Sequence, residues 1–268
     1  MTPQKSPVVG IPISMTSYAE VIAHLAERPR DRATVVAVCN VHSVMSARRD
    51  VGLRAAIEAA DIATSDGMPL VWALRHSGRP EQERVYGPIL MRRALQESSL
   101  RHYFYGSSPE TLAALLTAVQ RLAPAAEVVG SCSPPFRALT PIEREAAAAR
   151  ILASGADVVW VGLGMPRQEL WMHEMRPALP GVALVGVGAA FDFIAGTKPE
   201  APPLLQRFGL EWAFRLAHEP RRLIGRYALN NPGFLLLLTA QLARQRAAQR
   251  GAGGGGASSS NTGPSSVK

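Results

Sequence analysis

Only two cysteines occur in 268 residues, Cys39 and Cys132, far apart and without metal-ligand spacing. This gives no disulfide framework and fits a reducing compartment. Long apolar runs are also missing. Phe234 to Leu238 is the best lipid candidate, and it is far shorter than the roughly 20 apolar residues of a spanning helix. The opening MTPQKSPVVGIPIS has no apolar h-region, so no secretory signal is expected and the chain reads as cytoplasmic. Aromatic residues make up 6%, which leaves few stacking platforms for nucleic acid, and no helix-turn-helix, RRM or KH signature appears. No GxxxxGK(S/T), HExxH or GxSxG is present, so a P-loop and the common zinc-protease and serine-hydrolase sites are excluded. There is no DxD pair to clamp a metal–nucleotide complex, and Asp192 stands alone between Phe191 and Phe193.

What is present describes a globular chain with an anionic partner. Hydrophobic residues are 47%, charged residues 19%, the net charge is +8 and the pI is about 10.2. A nucleotide, nucleic acid, a phosphorylated lipid and an anionic membrane surface all satisfy such a balance.

Short β-rich runs alternate with helical patterns. Asp61 to Ala63, Val35 to Cys39, His102 to Tyr105, Glu127 to Val129, Val158 to Val161 and Ala183 to Val187 read as strands. Helices are expected from near Val41, from Met68, over Glu110 to Leu122, over Pro141 to Ala153, and through Trp171. Repeated strand–loop–helix units predict an α/β fold with a Rossmann-like, mainly parallel sheet covered by helices on both faces. Val8 to Ile13 adds a short edge strand or hairpin. Residues 1–201 form this α/β core.

From about Pro202 the strand pattern stops and residues 202–250 read as a basic, amphipathic, helical appendage. Residues 204–250 hold eight arginines against Glu211 and Glu219, most of the chain's +8. Such a segment suits an anionic membrane interface or a solvated helical subdomain. Residues 251–268, GAGGGGASSSNTGPSSVK, read as a disordered Gly/Ser-rich tail.

Four loops after strands share small, polar residues: Asn40-Val41-His42, Ser65-Asp66-Gly67, Gly106-Ser107-Ser108 and Gly162 to Glu169. Glycine permits close backbone approach, and a helix N-terminus offers N–H groups to phosphate oxygens. Arg167 adds a charge. The pattern points to a phosphate-bearing ligand, most simply a nucleotide. Gly162-Leu163-Gly164 and Gly186-Val187-Gly188 both lack the third glycine of a dinucleotide fingerprint, which argues against a nicotinamide oxidoreductase. Asp66 has two readings at its strand–helix turn: an N-cap of the helix from Met68, or a catalytic base at a strand's carboxyl end.

The stretches GLGMPRQELW, GVGAAFDFIAGTKPEAP and GLEWAFRLAHEPRRL, with NVHSVMSARRD, SDGMPLVW and ERVYG in order, resemble the WecG/TagA/CpsF family of bacterial glycosyltransferases. The resemblance runs from about residue 8 to residue 243. It implies an inverting, metal-independent transfer of a hexose, often of the N-acetylmannosamine type, from a UDP-sugar. The implied acceptor is a polyprenyl-diphosphate-linked sugar at the inner face of the cell membrane, in cell-envelope or exopolysaccharide synthesis. It also implies no cofactor beyond the donor, and peripheral membrane attachment.

Position by position, the resemblance makes Asp66 the general base. Asn40, Arg84 and Gln168 match the donor pocket, with Gly106, Ser107, Gly162, Gly164 and Arg167 in the donor-side loops. Arg215, Arg221 and Arg222 fall on the diphosphate and membrane side. Glu169 beside Gln168 has a second reading, in which it only pairs with Arg167, and Trp171 and Trp212 are read as packing residues. Two positions depart from the family pattern: Val38 stands where threonine is common, and Ile89 where many members have an acid. They imply altered specificity before loss of activity. A silent UDP-sugar-binding relative, a nucleic-acid-binding protein and a homo-oligomer stay open.

Overall fold

The computed structural model describes residues 3–253. The chain begins with a hairpin, β1 (Lys5–Val8) and β2 (Ile11–Ser14), which forms its own two-stranded antiparallel sheet. Its turn needs positive φ at both central residues, Val9 (52°) and Gly10 (83°). A β-branched residue adopts this only when its surroundings enforce it. Here the Val9 N–H donates to Gln241 at 2.7 Å, and the Val9 carbonyl accepts from Arg48 at 2.8 Å.

The α/β units follow. Helix α1 (Tyr18–Ala26) starts on a Ser17/Glu20 capping box and leads to β3 (Thr34–Cys39). Next come α2 (Val41–Ala47), α3 (Val51–Ala59), β4 (Ile62–Ser65), α4 (Met68–His76) and α5 (Gly87–Glu97). Strand β5 (Arg101–Gly106), α6 (Pro109–Leu122), β6 (Glu127–Cys132), α7 (Pro141–Ala153), β7 (Val158–Gly162) and α8 (Arg167–Met175) complete the middle of the chain. After β8 (Ala183–Gly186) the remainder is helical: α9 (Ala190–Ile194), α10 (Pro203–Arg207), α11 (Glu211–His218) and α12 (Pro220–Gly253).

Six strands form one sheet in the order β4-β3-β8-β7-β5-β6, every neighbouring pair parallel. Alternate residues divide between two apolar layers. Val35, Ala37, Val159, Val161 and Leu184 face one, with residues of the hairpin, α2, α3, α8 and α12. Val36, Val38, Phe104, Trp160 and Val185 face the other, with α1, α5, α6 and α9. Helices therefore cover both faces, as the strands' near-continuous apolar runs require.

The α/β expectation holds, with local differences. The helical stretch after Asn40 is two helices, because Asp50 caps a new start by accepting from Leu53 N–H at 3.0 Å. Of the two expectations around Val8 to Ile13 the hairpin holds, and it forms a sheet of its own. Helix α12 continues past Arg250 to Gly253; residues 254–268 of the expected tail lie outside the described residues. Within Phe234 to Leu238 the helical period splits the run. Phe234 and Leu238 join the core, whereas Leu235 and Leu236 are exposed. Among the described residues no helix is long and apolar enough to cross a membrane.

Candidate active site

The segments following all six parallel strands converge on one cleft of about 860 Å³. This is where an open parallel sheet binds ligands, because the chain diverges there and the strand-end loops leave a crevice. The four loops read from sequence all contribute. Two more belong to the wall: Ser133 to Phe136 after β6, and Val187 to Phe193 after β8.

Asp66 lies at the end of β4, where its N–H donates to the Cys39 carbonyl at 2.8 Å. It does not cap α4: the N-cap is Gly67, without any side-chain cap bond. The Asp66 carboxylate instead accepts from Arg84 Nη2 at 3.2 Å, and Arg84 Nε donates to the Asp66 carbonyl. The side chain is 16% exposed and lines the cleft. Burial pushes the carboxyl up; the Arg84 charge pulls it back and Glu211 pushes it up again, leaving it at about 6.

Arg84 is therefore not a surface charge. Its guanidinium lies 4.1 Å from the Tyr86 ring centroid and reaches Glu211 of α11 at 2.5 Å. It stands behind Asp66 and is not part of the cleft wall among the described residues. Arg215, one helical turn beyond Glu211, is in the wall, 3.8 Å from the Glu211 carboxylate and 5.3 Å from the Phe193 ring centroid. Arg221 is exposed and lies outside the wall, and the Arg222 side chain falls outside what the structure describes.

Among the glycines, Gly106 and Gly162 are needed for packing. Gly106 has φ 129°, and a Cβ there would sit 2.6 Å from the Gly162 carbonyl carbon; a Cβ on Gly162 would meet the Phe191 ring at 2.6 Å. Gly162 is also in the wall, and Gly106 is not. Gly164 has φ 75°, opens on free space and leaves backbone available to a ligand. Ser107 lines the cleft at φ 63°, its N–H donating to the Gly162 carbonyl at 3.1 Å and its carbonyl accepting from Ser133 at 2.7 Å.

Arg167 and Glu169 are not partners. Arg167 is exposed, stacks 3.9 Å from the Phe136 ring centroid and donates to the Leu163 carbonyl at 3.3 Å. Glu169 points inward at 3% exposure and accepts from the Gln168 amide at 2.8 Å. Burial raises its pKa to about 7. The ion pair expected from their closeness in sequence fails because helical residues two positions apart point about 200° apart, to nearly opposite sides of the helix. Gln168 and Glu169 both line the cleft, and each keeps one buried oxygen without a hydrogen-bond partner among the described residues.

Asn40 is in the wall and also caps α2, in a reciprocal box with Ser43 whose bonds measure 3.2 Å. His42 beside it bonds Asn230 of α12 at 3.0 Å, and Arg49 donates to the same amide's oxygen at 2.6 Å. This polar chain runs from the cleft to the C-terminal helices. Of the two departures, Val38 lines the cleft, while Ile89 packs against the apolar layer on the α5 side. Trp171 packs as expected, stacked on Tyr105 at 4.2 Å between centroids; Trp212 meets Tyr227 edge-on at 6.0 Å but stays 43% exposed.

Tyr86, Ser133, Phe136, Lys198 and Glu211 belong to the site without having been singled out in the sequence. Lys198 lies in a family-like stretch, and reaches Asp192 at 3.3 Å and Glu219 at 3.7 Å. Phe136 was visible only as part of a proline-rich loop, and Glu211 only as a charge among arginines. Among the described residues no three His, Cys, Asp or Glu side chains form a group that could hold a metal.

A parallel α/β sheet with a polar cleft at its strand ends, a shielded carboxylate inside it and cationic side chains around it suits the transfer of a group from an anionic donor. The chain belongs to the glycosyl transferase WecG/TagA/CpsF family, whose model matches residues 6–248. It is also similar to the N-acetylglucosaminyldiphosphoundecaprenol N-acetyl-beta-D-mannosaminyltransferase of Bacillus spizizenii. That protein is 28% identical over 252 residues, covering 92% of this chain and 94% of the relative.

Proposed function

We propose that the protein transfers an N-acetylmannosamine-type hexose from a UDP-sugar to a polyprenyl-diphosphate-linked N-acetylglucosamine acceptor, with inversion and without a bound metal, in bacterial cell-envelope synthesis. The observation that carries this reading is Asp66. Its carboxylate is free of any capping duty, shielded from water, oriented by Arg84 and turned to a cleft that Arg215 also lines.

In the step we propose, Asp66 takes the proton of the acceptor hydroxyl as that oxygen attacks the anomeric carbon. A new C–O bond forms, and the bond to the donor diphosphate breaks, releasing UDP. Arg215 and Lys198, both in the wall, would meet the negative charge developing on the diphosphate, with the N-terminal end of α8 at its other side. Gln168 and Gly164 would contact the donor. The C-terminal helices would meet an anionic membrane surface on the cytoplasmic side, bringing the cleft to its lipid-linked acceptor. The family membership and the relative's name support the sugar and the acceptor.

Asp66→Asn keeps the shape and removes the base. We expect kcat to fall at least about 100-fold, the usual range for a lost general base, with UDP affinity by calorimetry nearly unchanged. Undiminished turnover would overturn the assignment. In the wild type, turnover should fall as pH drops through about 6, since protonated Asp66 cannot accept the acceptor's proton.

A further inference from the structure

Arg84 Nη2 serves two carboxylates. It lies 2.5 Å from Glu211 Oε2, on the C-terminal helices, and 3.2 Å from Asp66 Oδ1, on the sheet rim. A donor shared between two anions favours the nearer one, so Glu211 takes the larger part of the Arg84 charge. Arg84 cannot move to serve both better. Its Nε is fixed on the Asp66 carbonyl and its face rests on the Tyr86 ring. Glu211 is held in turn from its far side by Arg215. Asp66, Arg84 and Glu211 are all largely buried, so the solvent does not screen them away.

We infer that Glu211 is a positioning residue for Asp66: by drawing the Arg84 guanidinium onto α11 it leaves the Asp66 carboxylate free to accept a proton when the C-terminal helices are docked. This rests on Asp66 acting as the base. Without Glu211 the same arginine, held where it is, would direct its charge to Asp66 alone, and an ion-paired carboxylate is a weaker base. Docking of α11 on the rim is then what prepares the site for chemistry.

Among the described residues, the following charged and titratable groups act on Asp66. Arg84 and Tyr86 come from the segment entering α5, Glu211 and Arg215 from α11, Tyr18 from α1 and Cys39 from β3. Burial pushes Tyr18, Tyr86 and Cys39 up, which keeps them neutral over the working range. Arg84, Glu211 and Arg215 are left to set the balance.

The test compares wild type with Glu211→Gln and Glu211→Asp in two measurements. The first is the pH dependence of turnover. The second is titration of the Asp66 carboxyl by carbon-13 NMR, assigned with Asp66→Asn. For Glu211→Gln we expect the acid limb and the carboxyl titration to move together to lower pH by roughly one unit, the scale of one neighbouring charge, with turnover at the plateau reduced several-fold. Glu211→Asp, which keeps the charge, should restore most of both. Unchanged titration in Glu211→Gln, or a move to higher pH, would overturn the inference. Because the NMR titration reads the coupling without catalysis, a failure of Asp66 as base (full turnover in Asp66→Asn) is distinguished from a failure of Glu211 to act on it.

Discussion

Glu169 is a carboxyl group at 3% exposure that accepts from the neighbouring Gln168 amide, its other oxygen having no hydrogen-bond partner among the described residues. Burial raises its pKa in the folded state to about 7, above the 4.5 of an exposed glutamate, so the ionised form opposes folding. The associated stability is fully present below pH 4.5 and lost as pH rises through 7, up to about 3 kcal/mol for a shift of this size. Glu169→Gln keeps the bond from Gln168 and removes the ionisation. We expect its melting temperature to equal that of wild type near pH 4.5 and to exceed it increasingly toward pH 8. A constant difference across that range would show that burial does not hold the group back from ionising.

At the scale of elements, the sheet depends on a close approach between the ends of β5 and β7. Gly106 and Gly162 pair in register there, and a Cβ on Gly106 would sit 2.6 and 2.7 Å from Gly162 backbone atoms. Backbone cannot yield as a side chain can, and φ 129° is itself unfavourable for an L-residue. Gly106→Ala should cost roughly 2–4 kcal/mol by overpacking and backbone strain together, measured by urea denaturation. Since Gly106 is not in the cleft wall, any loss of UDP affinity should follow from displaced Ser107. The elements themselves were largely legible. Strands buried on both faces carry unbroken apolar runs, and α7 begins and ends where its Thr140 cap and Ala-rich run end. Helix α3 was merged into the stretch from Val41, and α1, α5 and α9 were not read: α1 does carry a Ser17/Glu20 capping box, whereas α5 and the five-residue α9 start without any side-chain cap.

For the whole molecule, the C-terminal helices are tied to the core from several sides. Phe234 and Leu238 join the core, Gln241 bonds both Val9 and Pro7, and Asn230 bonds His42. Their outer surface presents Leu204, Phe208 and Trp212 near Trp72 of α4, all between 43% and 65% exposed. Arg207 of α10 and Arg221 of α12 are exposed as well. Apolar side chains interspersed with arginine favour an anionic lipid surface. We expect the protein to sediment with vesicles containing phosphatidylglycerol and not with neutral ones. Raising salt to 0.5 M should weaken binding by shortening the screening length. Phe208→Ala with Trp72→Ala should lower affinity about 10-fold through lost apolar burial. Equal binding to neutral vesicles would contradict an electrostatic contribution.

The sequence by itself determined the parallel α/β architecture, the strand-end loops, the break in character near Pro202 and the family. Each of these is written in local period, in glycine and proline positions, or in contiguous motifs. Only the tertiary structure decided what individual charges do. It turned Asp66 away from its helix and toward Arg84, separated Arg167 from Glu169, and brought Glu211 across 127 positions of chain to share the arginine behind the base. Charge pairing depends on distance and burial, which sequence neighbours do not set and which packing of distant elements does.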